Sequence, residues 1–183
     1  MAIWTFRHPF VEGEGTGSAS DRRNVTNELS DAGKAQVNHI LNFLQRQPEK
    51  PSVVISPSEP RYHQLAQAIA AEFQIQITTE DRLCQDGGRT TGEERVLKLT
   101  GNLSDMLAIL ATAPDKAVII TSNPLLECLQ YQRRPITFQE METEGGKKKY
   151  RVNPGCGLEL QSNGDVVRRL DLFDKEGKPL QVE

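Results

Sequence analysis

The chain has 183 residues, 37% of them hydrophobic and 26% charged, with a formal net charge of −3. That length suits a single domain spanning 1–183 around one core, and the composition is that of a folded globular protein rather than a disordered one. The slight acidic balance speaks against nucleic-acid binding, which draws on a basic excess, and no apolar run approaches the roughly 20 residues that cross a bilayer.

In chain order, Ala2–Phe6 is a short apolar run and predicts a buried first strand. Residues Pro9 to Glu28, with Gly13, Gly15 and Gly17, read as a long polar loop of the kind that often carries function. Ser30 is a candidate N-cap, with Asp31 favourable beside it, for a helix whose apolar positions are Ala32, Val37, Ile40, Leu41 and Leu44. Ser52–Ser56 predicts a second buried strand, about Glu59 to Phe73 a helix, and Ile75–Thr79 a third strand.

Asp81 to Gly92 reads as a polar loop and Glu93 to Ala111 as a helix, in which Gly101 is a candidate kink or break. Ala117–Thr121 is the most apolar β-branched run and predicts a central strand, followed by a helix from about Pro124 to Gln132. Lys149–Asn153, Gly157–Gln161 and Val166–Phe173 then read as strands, with Asn163-Gly164 as a hairpin turn. Strands alternating with helices and then a β-rich tail predict a three-layer α/β/α sandwich: a mainly parallel sheet with antiparallel C-terminal strands.

Met1 to Phe10 carries no cationic leader, apolar stretch or small-residue cleavage site, so the expected location is the cytoplasm. Cys84, Cys128 and Cys156 are odd in number, lack CxxC spacing and stand apart from the histidines. They predict reduced thiols, and neither a metal centre nor a cofactor site is expected.

In a parallel sheet, ligands bind beyond the carboxyl ends of the strands. The first strand ends in Arg7 and His8, the second in Ser56 and Pro57 with Arg61 a little further on, and the fourth in Ser122 and Asn123. Two guanidiniums, an imidazole and small polar groups suit phosphoryl transfer. Guanidinium forks bind phosphate oxygens bidentately, and a neutral imidazole can attack phosphorus. Charge spread over three phosphoryl oxygens is what the fixed cations stabilise. Helix N-termini near Glu59 and Pro124 point dipoles at the same place.

Phe6-Arg7-His8-Pro9 resembles the Arg-His-Gly signature of the histidine phosphatases, the phosphoglycerate mutase-like superfamily. Leu29-Ser30-Asp31-Ala32-Gly33-Lys34-Ala35-Gln36 is similar to that family's Leu-Thr-x-x-Gly-x-x-Gln. Ile55-Ser56-Pro57 with Arg61-Tyr62-His63-Gln64-Leu65-Ala66 resembles its Ser-Ser-Pro-x-x-Arg-x-x-Gln-Thr-Ala. Ile119 to Leu126 is similar to the strand–loop–helix that carries the second histidine. The four segments stand in the family's order, and the compact length with Asn153-Pro154-Gly155 resembles its short bacterial phosphohistidine phosphatase branch.

The resemblance implies His8 as the phosphorylated nucleophile and Arg7 and Arg61 as phosphate clamps. Ser122 stands where the second histidine belongs. A serine hydroxyl and the Asn123 amide still donate hydrogen bonds, but losing a charge-assisted donor to the transition state costs about 2–4 kcal/mol, roughly 30- to 1,000-fold in rate. Pro9 replaces the usual glycine, and one extra residue lies between Pro57 and Arg61.

Other signals are weaker. Ser122 and Asn123 suit helix capping as well as phosphate contact, and the two roles are compatible. His63 is two positions from Arg61 on one helix, and side chains at that spacing do not face each other. His39 reads as a surface or packing residue. Asp86, Glu93 and Glu94 are candidate acids for an alcohol leaving group, though a solvated loop is the simpler reading. The glycines at 13, 15 and 17 fit neither nucleotide fingerprint and read as a flap, from which Arg22 and Arg23 reach substrate.

The expected activity is a metal-independent phosphatase acting through His8 on phosphohistidine, in a protein or peptide, or on a small phosphomonoester. The alternative is a family member with weakened or absent catalysis, serving as a phosphate-ligand binding or regulatory module. Nothing in the sequence specifies an oligomeric state.

Overall fold

The computed structural model describes residues 2–12, 28–84, 92–131 and 151–180, with the backbone alone for 92–98. Its elements run β1 (Ile3–Arg7), α1 (Asp31–Arg46), β2 (Val53–Ser56), α2 (Pro60–Phe73), β3 (Ile77–Thr79), α3 (Gly92–Thr112), β4 (Ala117–Thr121), α4 (Asn123–Gln130), β5 (Gly157–Leu160) and β6 (Val166–Leu170). A 3-10 turn, Asp81–Leu83, lies in what the sequence suggests is loop. Arg7 thus belongs to β1 as its last residue, one position beyond the apolar run.

The helices begin where their caps direct. Ser30 Oγ accepts from the Gly33 N–H at 3.1 Å, Asp31 lies in the first turn, and Val37, Ile40, Phe43 and Leu44 face the core. Pro60 opens α2, and Gln74 ends it in a left-handed conformation with φ of 55°. α3 runs through Gly101 without a break. That position is exposed and a Cβ there would meet nothing within 4 Å, while Leu99, Leu103, Met106 and Leu110 hold the helix to the core.

The six strands lie in the order β3-β2-β4-β1-β5-β6. β3, β2, β4 and β1 are parallel to one another, and β5 and β6 add antiparallel on the far side of β1. β1 and β4 are buried at every residue, as central strands covered on both faces must be. The chain moves one way across the sheet from β1 to β2 to β3 and returns from β3 to β4. Right-handed crossovers therefore put α1 and α2 on one face and α3 on the other, and α4 packs beside α3. Packing of α1 on α2 agrees.

The tail departs from expectation in one place. Arg151–Asn153, the described part of the expected strand Lys149–Asn153, is not a strand. Side chains take its backbone groups instead: the Val152 N–H donates to Asn123 Oδ1 at 2.8 Å and the Val152 carbonyl accepts from Arg7 Nη1 at 3.0 Å. The hairpin joining β5 to β6 turns at Asn163-Gly164, where Gly164 has φ of +84° and Asn163 Oδ1 accepts from the Asp165 N–H. β6 stops at Leu170, and Phe173 pairs only in a bridge with Pro179. No described helix is long and apolar enough to cross a membrane.

Candidate active site

β1 and β4 are neighbours, yet the chain leaves them toward opposite faces, to α1 from β1 and directly to α4 from β4. A crevice opens at the carboxyl ends of such a pair. Arg7 is paired in register with Thr121, so His8 and Ser122 are the first residues beyond adjacent strands. β2 lies on the other side of β4, with Ile55 opposite Ile119, and delivers Ser56 and then the head of α2 to the same edge.

His8 is only 7% exposed. Its Nδ1 lies 2.8 Å from the Pro9 carbonyl oxygen, which can only accept, so Nδ1 carries the proton and donates it there. The lone pair is therefore on Nε2. Burial, then the positive charge of Arg7, lower the imidazole pKa to about 3; the Pro9 bond opposes them, and Arg61 adds a lesser lowering. At neutral pH His8 is an uncharged imidazole with a defined tautomer, the form a nucleophile requires.

The two guanidiniums are held differently. Arg7 is buried, and its Nη1 donates to the Val152 carbonyl. Arg61, in the first turn of α2, stacks over the Tyr62 ring with Cζ 4.8 Å from the centroid, and the same ring meets that of His8 edge-on at 5.2 Å. Tyr62 thus sits between guanidinium and imidazole, and burial raises its phenol pKa so that it stays protonated. Arg61 Nη2 also pairs with Glu59 Oε2 at 2.8 Å. Neither Tyr62 nor Glu59 stood out in the sequence; only their adjacency to Arg61 marks them.

Ser122 occupies the N-cap position of α4 but makes no capping bond. Its Oγ is buried without a partner among the described residues, as is Arg61 Nε. A buried polar atom left unsatisfied costs about 1–3 kcal/mol. Asn123 is otherwise engaged. Its Oδ1 accepts from Val152 N–H and its Nδ2 donates to Glu127 Oε1 at 2.6 Å, so the side chain braces the segment that in turn holds Arg7. The structure therefore gives the expected substrate-contact residue a bracing position.

The loop behind His8 is clamped by the second motif. The Phe10 carbonyl accepts from Ser30 N–H and Oγ, and the Phe10 N–H donates to Gln36 Oε1 at 3.0 Å. Gln36 Nε2 reaches Pro154 O, and Gly155 N–H donates to His8 O. A Cβ on Gly33 would lie 2.0 Å from Phe10 O, so only glycine allows α1 to approach this closely.

Arg22, Arg23 and Asp86 lie outside the described residues, and Glu93 and Glu94 are on α3 where side chains are not described. His63 Nδ1 is buried without a partner among the described residues. His39 packs its ring 5.1 Å from that of Phe173. Cys84, Cys128 and Cys156 are free thiols. A separate cleft beside α1, lined by residues that include Glu28, Lys34 and Gln64, contains none of His8, Arg7, Arg61 or Ser122.

Comparison with known proteins bears on this arrangement. Residues 3–99 match the sequence pattern of the histidine phosphatase superfamily (branch 1). Among solved structures, the α-ribazole phosphatase of Shigella flexneri is similar over 100% of both chains, at 14% identity and a TM-score of 0.65. YhfR of Bacillus stearothermophilus is similar over 90% of this chain and 93% of its own, at 13% identity and a TM-score of 0.62. The protein histidine phosphatase SixA, complexed with tungstate, is similar over 93% and 96%, at 13% identity and a TM-score of 0.58. At these identities the structural likeness speaks for the fold alone. No curated protein sequence matches the chain.

Proposed function

Since the chain belongs to the histidine phosphatase superfamily, we propose that it is a phosphatase that works without a metal through a phosphorylated His8. The observation that carries this reading is the state of His8: neutral, with Nδ1–H tied to Pro9 and the charges of Arg7 and Arg61 acting on it. Nε2 attacks phosphorus, the bond from phosphorus to the leaving oxygen or nitrogen breaks, and the leaving group departs with that electron pair and takes up a proton. Water then attacks the phosphorylated imidazole, the N–P bond breaks, and inorganic phosphate and neutral His8 are released. Arg7, Arg61 and the Ser122 hydroxyl donate to the phosphoryl oxygens. The substrate is phosphohistidine or a small phosphomonoester. An imidazole leaves more readily than an alkoxide, so phosphohistidine depends less on an acid.

One observation favours a second reading. Ser122 brings no charge to the pocket, and a protein that binds a phosphorylated ligand with little turnover fits that loss. Turnover of a phosphohistidine peptide and a chromogenic phosphomonoester, measured with a chelator present, separates the two. Abolition by His8→Ala and a roughly tenfold or greater gain in Ser122→His are expected. Native binding of vanadate without turnover supports the binding module. Equal turnover and binding in native protein and His8→Ala removes the assignment of His8.

A further inference from the structure

Glu59 stands at the head of α2, but its side chain makes no capping bond to the helix. Both carboxylate oxygens are committed to the site instead: Oε2 to Arg61 Nη2 at 2.8 Å, and Oε1 to the Cys84 thiol at 2.7 Å. Burial, then Glu59 itself, push the Cys84 pKa up to about 11, so the sulfur keeps its proton and donates it. The carboxylate is thus held in place from two sides. It occupies one edge of the guanidinium while Arg61 Nε remains buried without a partner among the described residues. A carboxylate on a guanidinium edge presents the same charge and geometry as a phosphate oxygen there.

We propose that Glu59 is a specificity-determining residue, a built-in counter-anion on Arg61 that weakens the pocket's hold on dianionic tetrahedral groups more than on monoanionic ones. The inference rests on Arg61 being a phosphate clamp. Its physical basis is that Coulomb energy scales with ligand charge, so repulsion from Glu59 costs a dianion twice the free energy it costs a monoanion. The pair is partly exposed, with side-chain exposures of 22% for Arg61 and 33% for Glu59, so water screens the repulsion without removing it. The pocket is thereby biased toward phosphoryl groups that bind in a singly charged form.

Tungstate and perrhenate provide the test, because both are tetrahedral oxyanions of nearly equal size and differ by one charge. Glu59→Gln keeps the shape and one oxygen to accept from Arg61, turns its amide nitrogen toward the Cys84 sulfur, and removes the charge. For a charge about 6 Å from the anion at an effective dielectric of about 60, perrhenate affinity rises about 5-fold and tungstate affinity about 25-fold. The tungstate-to-perrhenate ratio, read by calorimetry at pH 8 and constant ionic strength, therefore shifts about 5-fold toward tungstate. Glu59→Ala, which also removes the hydrogen bonds, shifts the ratio in the same direction. A change equal for both anions, no change, or weakened tungstate binding overturns the proposal. Arg61→Gln locates the failure. If it weakens both anions while Glu59→Gln leaves their ratio unaltered, only the role of Glu59 falls. If Arg61→Gln and His8→Ala bind both anions as the native protein does, or if the native protein binds neither, the phosphate pocket falls with it.

Discussion

An imidazole buried in its neutral form should make this protein less stable in acid by a calculable amount. An exposed imidazole in the unfolded chain takes up its proton at about pH 6.5, whereas His8 in the fold does so only at about 3. Between those values the unfolded chain binds one more proton than the folded one, so stability falls as pH falls, by about 1.4 kcal/mol per unit. From pH 7.5 to 4.5 only the two units below 6.5 count, which gives a loss of about 2.7 kcal/mol attributable to His8. His8→Asn isolates that share, because its amide can still donate to the Pro9 carbonyl yet does not titrate. Urea unfolding of both proteins at pH 7.5, 6.0 and 4.5, without phosphate or sulfate, cancels every other titrating group. The native protein should lose about 2.7 kcal/mol relative to His8→Asn across that range. A difference flat to within about 0.5 kcal/mol, or a His8 C2–H resonance titrating near 6.5, would refute the buried neutral imidazole. By the same reasoning, kcat/KM should show no acid limb between pH 6 and 7 from this group, since its active form persists far below that range.

Two further substitutions probe the scaffold behind the site. Gly33→Ala forces a methyl group to within 2.0 Å of the Phe10 carbonyl, so α1 and the loop after His8 must part; thermal unfolding should show a loss of about 2–3 kcal/mol, with turnover at least tenfold lower, and an unchanged melting temperature would contradict the contact. Asn123→Ala leaves the Val152 N–H without its acceptor and frees the segment that holds Arg7; a loss of about 1–3 kcal/mol is expected in urea unfolding, and an unchanged midpoint would contradict the brace.

What local pattern encodes was readable residue by residue. The runs at Ile3–Phe6 and Ala117–Thr121, apolar but for one threonine each, name the central strands because a strand covered on both faces has little polar side to show. The Ser30 cap and the Val37–Ile40–Leu44 stripe define α1 through interactions three or four residues apart. Arg7, His8, Arg61 and Ser122 could be picked out because each lies at a strand end or in the few residues beyond it, and strand ends are visible in one dimension. The rest depends on strand order. Asn123 braces Val152 and Arg7 bonds the same residue because β1 and β4 are neighbours, a pairing of segments over a hundred residues apart that no periodicity specifies. The expected strand at Lys149–Asn153 fails where it can be seen because side chains claim its backbone groups, and a β-compatible sequence cannot reveal such competition. The protonation state of His8 and the hold of Glu59 on Arg61 likewise follow from burial and through-space charge, which exist only once the chain has closed around them.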